Sequence, residues 1–141
     1  MIQMILVATD GSATSERAAD FAASLAIRFH SKVTVLHALT TEPVTPVQGA
    51  RAGRTTMNSL VEKNNLVDHA AGRLHELGVS SVETRVVEGP AVNVILGVAE
   101  SLKPDLLVMG ARGLSTWQGI LLGSVSSAVT QRAECPVLIV K

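Results

Sequence analysis

The sequence is poor in aromatic side chains. Phe21, Phe29 and Trp117 are all it has, with no tyrosine among 141 residues. A core built from so few rings has to be aliphatic, made of Val, Leu, Ile and Ala. Cysteine is nearly absent too. Cys135 stands alone, so no intrachain disulfide can form, and a reducing interior is the natural setting. Neither sign of charge is in excess: 12 basic residues balance 12 acidic ones, without a Lys/Arg run. Grip on a phosphate backbone needs several cations on one face, so neither nucleic acid nor an anionic membrane surface is expected as a partner. No apolar run approaches the ~20 residues of a transmembrane helix. The N-terminus lacks the basic flank and small-residue site of a signal peptide. These absences point to a cytoplasmic protein.

What remains is a hydrophobic fraction of 47% with 17% charged residues, too apolar for intrinsic disorder. The length suits one domain, 1–141. Along it, short apolar runs alternate with helical periodicity. Residues 3–9 read as a strand buried on both faces, closed by Asp10-Gly11-Ser12. Ser12 or Thr14 caps a helix to about His30, with Ala18, Phe21, Ala22, Leu25, Ala26 and Phe29 at apolar helical spacing. Residues 33–38 form a second strand, and 39–54 the longest irregular stretch. A helix over 55–77 stops at Gly78, and a third strand spans 79–87. Pro90 opens a helix at its first position, which ends before Lys103-Pro104. A strand at 106–109, a Gly-rich segment 110–123, a helix over 124–132 and a strand at 137–140 complete the pattern.

Alternating strands and helices make βαβ units. The fold class expected is α/β: a doubly wound, five-stranded parallel sheet with helices on both faces, in a Rossmann-like order 3-2-1-4-5. In such sheets ligands sit at the carboxyl ends of the strands, near the switch in strand order. That directs attention to Asp10, to His37-Ala38 and to the loop from Gly110. The loop runs Gly110-Ala111-Arg112-Gly113, then nine residues, then Gly123-Ser124-Val125-Ser126. Glycines allow close backbone approach to an anion, and the helix start at Ser124 offers unpaired N–H groups. The hydroxyls of Ser124 and Ser126 can add donors. The same residues also suit a loop whose glycines only turn and cap.

Gly-x-x-Gly, nine residues, Gly-Ser after the fourth strand resembles the ATP-binding signature of the universal stress protein family. The resemblance covers the chain: Ile5-Leu6-Val7-Ala8-Thr9-Asp10-Gly11-Ser12, Val35-Leu36-His37-Ala38, Pro104-Asp105-Leu106-Leu107-Val108-Met109-Gly110 and Cys135-Pro136-Val137-Leu138-Ile139-Val140 resemble that family's first, second, fourth and last strands. It implies a stress-response regulatory module that binds ATP, or AMP or ADP. Ala8 and Asp10 would hold the adenosine part and backbone groups at Ala38 the adenine. Gly110, Ala111, Arg112, Gly113, Ser115, Thr116, Gly123, Ser124, Val125 and Ser126 would hold ribose and phosphates.

Asp10 can accept bonds from ribose or adenine, ligate Mg²⁺ beside the phosphates, or cap its own turn. Arg112 can neutralise phosphate or stay a solvated loop cation. His37 reads as a structural histidine at the sheet's end, Trp117 as a hydrophobic cover or interface residue, and Cys135 as an inert small hydrophobe. No Gly-x-x-x-x-Gly-Lys-Ser/Thr is present, and no catalytic residue is assigned. The alternative is a slow ATPase or an ATP-dependent transferase with Asp10 as metal ligand. Strand 137–140, apolar and ending at Lys141, is expected at a sheet edge and invites a homodimer. A further protein partner is left unspecified.

Overall fold

The computed structural model describes residues 1–40, 54–113 and 122–141. In chain order the elements are β1 (Met4–Ala8), α1 (Ala13–Phe29), β2 (Lys32–Leu39), α2 (Arg54–Leu77), β3 (Val82–Glu88), α3 (Ala91–Leu102), β4 (Leu106–Gly110), α4 (Ser124–Arg132) and β5 (Val137–Val140). All strand pairs are parallel, and the order is β3-β2-β1-β4-β5. The alternation of side chains along β1 divides two cores between the faces. Ile5 and Val7 pack with Val33, Val35 and Val108 against α1 and α2. Leu6 and Ala8 pack with Leu36, Leu107 and Met109 against α3 and α4. Near-continuous apolar strands are what a sheet covered on both faces requires.

Helix boundaries follow local chemistry. Ser12 caps α1, its hydroxyl accepting from Ser15 N–H. Gly78, at φ 110°, ends α2 with Gly78 N–H donating to His75 O and Val79 N–H to Leu74 O. That pair of bonds uses two carbonyls the helix end would leave open. Val79 is thereby held in the turn, so β3 starts at Val82 instead of 79. Pro90 is the residue before α3 instead of its first helical residue, with ψ 133°.

The face of α1 on the sheet is alanine: Ala18, Ala19, Ala22, Ala23 and Ala26 are buried. Phe21 and Phe29 do not join it, being 57% and 39% exposed. Phe21 sits one residue, about 100° of helical turn, from Ala22, and Phe29 is the last helical residue. No helix among the described residues is long and apolar enough to cross a membrane. Of the stretch expected to be irregular, β2 extends into it to Leu39 and α2 begins at Arg54. The part between, 41–53, lies outside the described residues.

Candidate functional site

Every crossover in a parallel sheet brings a helix N-terminus to the carboxyl edge of the strands. Here the ends of β1, β2 and β4 and the starts of α1, α3 and α4 enclose a cleft of ≈ 330 Å³. This falls in the ordinary range for small-molecule sites. Ala8, Met109 and Ile95 line it on the α3/α4 side, and Asp10, Ser12 and Ser15 on the α1 side. Ala38, Leu39 and Thr40 bring the end of β2 to it.

The turn after β1 is tightly organised. Asp10 Oδ1 accepts from Ser12 N–H at 2.9 Å. Gly11 has φ +83°, and a Cβ there would sit 3.0 Å from Leu66 Cδ1 of α2. The turn-capping role is therefore present at Asp10, which also lines the cleft. The loop after β4 is fastened to α1: Thr14 Oγ1 donates to Arg112 O, and Ser12 Oγ lies 3.4 Å from the same carbonyl.

The two loop glycines then have different reasons to be glycine. A Cβ on Gly110 would meet Thr14 Oγ1 at 2.6 Å and the backbone of Thr14 and Ser15 at 2.9 Å. It is glycine because α1 passes against the end of β4. A Cβ on Gly113 would meet Asp10 Oδ2 at 2.7 Å, which places this glycine over the carboxylate in the cleft.

At α4, Gly123 stands before the first helical residue with no side-chain cap. The N–H groups of Ser124, Val125 and Ser126 have no intrahelical acceptor, as at any helix start. All three residues and Gly123 line the cleft, with Arg112 nearby on its wall.

Of the residues expected at the site, Ala8, Asp10, Ala38, Gly110, Arg112, Gly113, Gly123, Ser124, Val125 and Ser126 converge on this cleft. Two depart from their expected role. Ala111 does not line the cleft among the described residues. Its N–H donates to Val140 O, and its carbonyl accepts from Gly123 N–H and Ser126 Oγ, so it closes the loop. The same bond commits the buried Ser126 hydroxyl, at 2.8 Å, and removes it as a free donor. Ser115, Thr116 and Trp117 lie outside the described residues.

His37 is 7% exposed, with Nδ1 2.7 Å from Thr9 O. Cys135 is partly buried among the α3/α4-side side chains, and burial pushes its thiol pKa up. Sequence reasoning missed Thr9, Ser12, Ser15, Leu36, Leu39, Thr40, Ala91, Ile95 and Met109 as lining residues. Nothing in their types signals a site; the fold brings them there.

Asp10 is the one carboxylate among the described lining residues. No cluster of three or more His, Cys, Asp or Glu among the described residues can hold a metal ion. Mg²⁺ usually keeps several waters and takes one or two carboxylates plus substrate phosphates. The donor set therefore fits Mg²⁺ arriving with a phosphate ligand.

A model of the universal stress protein family matches residues 1–141. A universal stress protein of Thermus aquaticus is 35% identical over 100% of both chains. The universal stress protein Rv1636 of Mycobacterium tuberculosis is 35% identical over 96% of this chain and 94% of its own. Among solved structures, a universal stress protein in complex with cAMP superposes with TM-score 0.78 at 32% identity, covering 99% of this chain and 97% of that one. The hypothetical protein MJ0577 superposes with TM-score 0.83 at 29% identity, covering 100% and 96%. With the family model matched along the whole chain and a relative 35% identical over its full length, the protein belongs to the universal stress protein family.

Proposed function

We propose that the cleft binds an adenine nucleotide, ATP with Mg²⁺ foremost, and that the protein acts through this binding as a cytoplasmic stress-response regulatory module. The observation that carries the reading is the start of α4. Its first-turn N–H groups have no side-chain cap, open on the cleft and stand near Arg112. A polyphosphate supplies the acceptors they lack, and the helix dipole favours its charge. Asp10 would meet ribose or a phosphate-bound Mg²⁺. Gly113 lies against Asp10, where a Cβ would meet Oδ2 at 2.7 Å, and Ser115 and Thr116, which follow in the sequence, would add to the ribose and phosphate contacts. The end of β2 at Ala38 offers backbone groups to the base. A relative of 32% identity in complex with cAMP supports the adenine class.

Mass spectrometry of ligand released from freshly purified, denatured protein, with calorimetric titration of Mg-ATP and Mg-GTP, tests this. Adenine nucleotide in the released fraction and a micromolar Kd for ATP, roughly 7–9 kcal/mol, are expected. No heat of binding for any adenine nucleotide at millimolar concentration would reject it.

The reading includes a homodimer through β5. That strand lies at one edge of the sheet, pairing with β4 on one side. It is apolar from Val137 to Val140. At the opposite edge β3 exposes Glu83 and Arg85, the charged dressing that discourages pairing. Exposed Phe21 is one helical turn from Arg17, whose Nε donates to Lys141 O beside β5. An apolar open edge flanked by an exposed ring fits a second copy of this chain.

A further inference from the structure

The way β1 and β2 part at the cleft is specific. Peptide groups of alternate residues in a parallel strand point to opposite neighbours. In β2 the even-numbered residues face β1: Lys32 N–H donates to Gln3 O, and Leu36 O accepts from Thr9 N–H. The odd-numbered residues face β3: Val33 N–H donates to Ser81 O, and Leu39 O accepts from Gly89 N–H. Ala38 is even. Its N–H and C=O point to where β1 would continue, but β1 ends at Ala8.

One more ladder step would bond Ala38 N–H to Thr9 O and Gly11 N–H to Ala38 O. Neither bond forms among the described residues. Thr9 O instead accepts from the His37 imidazole, Nδ1 at 2.7 Å. Gly11 N–H is directed to Thr9 Oγ1, at 3.4 Å. One donor and one acceptor of the Ala38 backbone are thus left side by side on the cleft wall.

We propose that His37 is a positioning residue for base recognition: by holding the Thr9 carbonyl it stops the β1–β2 ladder one step early and presents the Ala38 N–H and C=O to the base. The proposal rests on the adenine-nucleotide reading of the cleft. Adenine matches such a pair, with a ring nitrogen that accepts and a 6-amino group that donates. Guanine carries the opposite pattern on that edge, a ring N–H and a 6-oxo group, so its donor would face a donor and its acceptor an acceptor. Sites that bond a substrate's polar groups discriminate because the wrong analogue leaves them unpaired. Because Thr9 O only accepts, Nδ1 carries the proton of this bond, as it does in neutral and charged imidazole alike. The presentation of Ala38 therefore persists whichever charge His37 bears.

Two variants separate this role from simple packing. His37→Val removes the donor and lets Thr9 O return to the ladder. His37→Asn restores an N–H donor at the position of Nδ1. The first readout is the ATP-over-GTP preference, from calorimetry of both nucleotides. It should fall about tenfold in His37→Val, the scale of losing a base-edge pair of backbone bonds, and recover in His37→Asn. The second is hydrogen exchange of the Ala38 amide, measured in the wild-type protein without nucleotide. It should exchange much faster than the Leu36 amide, slow on adding ATP, and become protected in free His37→Val.

An Ala38 amide already protected in free wild type overturns the proposal, even if His37→Val fails to fold. An unchanged ATP/GTP preference in folded His37→Val overturns it as well, as does His37→Asn behaving like His37→Val. Failure of wild type to bind ATP would instead reject the adenine-nucleotide reading itself.

Discussion

Gly110, the last residue of β4, and Gly113 lie three residues apart, and alanine at each should have different consequences. At Gly110 the new Cβ would meet Thr14 Oγ1 at 2.6 Å, and Ser15 N and Thr14 C at 2.9 Å. Two of these are backbone atoms in the first turn of α1, so no rotamer change relieves them. The helix must move off β4, and the Thr14 bond to Arg112 O goes with it. Overpacking plus that hydrogen bond amounts to about 2–4 kcal/mol, a drop of roughly 10 °C in Tm for a chain of this size. At Gly113 the contact is with Asp10 Oδ2, at 2.7 Å. A carboxylate can swing, but Oδ1 is anchored to Ser12 N–H. The displacement falls on a cleft group and not on the core. Gly113→Ala should weaken Mg-ATP at least tenfold, about 1.4 kcal/mol, and cost less stability than Gly110→Ala. Thermal melts and calorimetric titrations of the two variants decide it. A Gly110→Ala protein melting within about 2 °C of wild type, or a Gly113→Ala protein with wild-type ATP affinity, would refute the division of roles.

Further predictions concern turnover, pH and assembly. Purified protein should hydrolyse ATP far below the ~1 to 10³ s⁻¹ usual for enzymes, and an Asp10-dependent rate within that range would refute the binding-module account. Asp105 accepts from the Met4 and Gln3 N–H groups, which hold its carboxyl below the usual carboxylate range. Its folded pKa is depressed, so its contribution is present above the unfolded value near 3.9 and lost as pH falls through the folded one. Asp105→Ala should therefore be less stable than wild type at pH 7, with the gap closing in acid; a gap that widens in acid contradicts the sign. Light scattering should give twice the chain mass for wild type. Ile139→Pro removes a ladder donor and Leu138→Lys places charge on the edge, so each should shift the protein toward monomer; a dimer that survives both would place the interface elsewhere.

Much of the fold is legible in the sequence because its cues are local. The apolar run before Asp10-Gly11-Ser12, the stop at Gly78 and the βαβ alternation each act within a few residues, and the handedness of crossovers limits the sheet orders to a few. What the sequence hides is which partner each group takes. Phe21 sits at apolar helical spacing, yet the sheet is met by small alanines and the ring is left outside. Gly110 and Gly113 look alike in a motif; only the passage of α1 separates packing from site. Ser126 reads as a free hydroxyl until Ala111 O is found against it. His37 reads as a structural histidine, and so it is, but its bond to Thr9 O spans two strands. That register is invisible until β1 and β2 are laid side by side.

The central claim, an adenine nucleotide held between the end of β2 and the start of α4, is tested most directly by backbone amide NMR during titration with Mg-ATP. The account predicts saturable shifts at Ala38, Gly113, Ser124 and Val125, with one micromolar-scale Kd and little change along β3. No saturable shift at these amides up to millimolar ATP, or shifts confined to other surfaces, would contradict it.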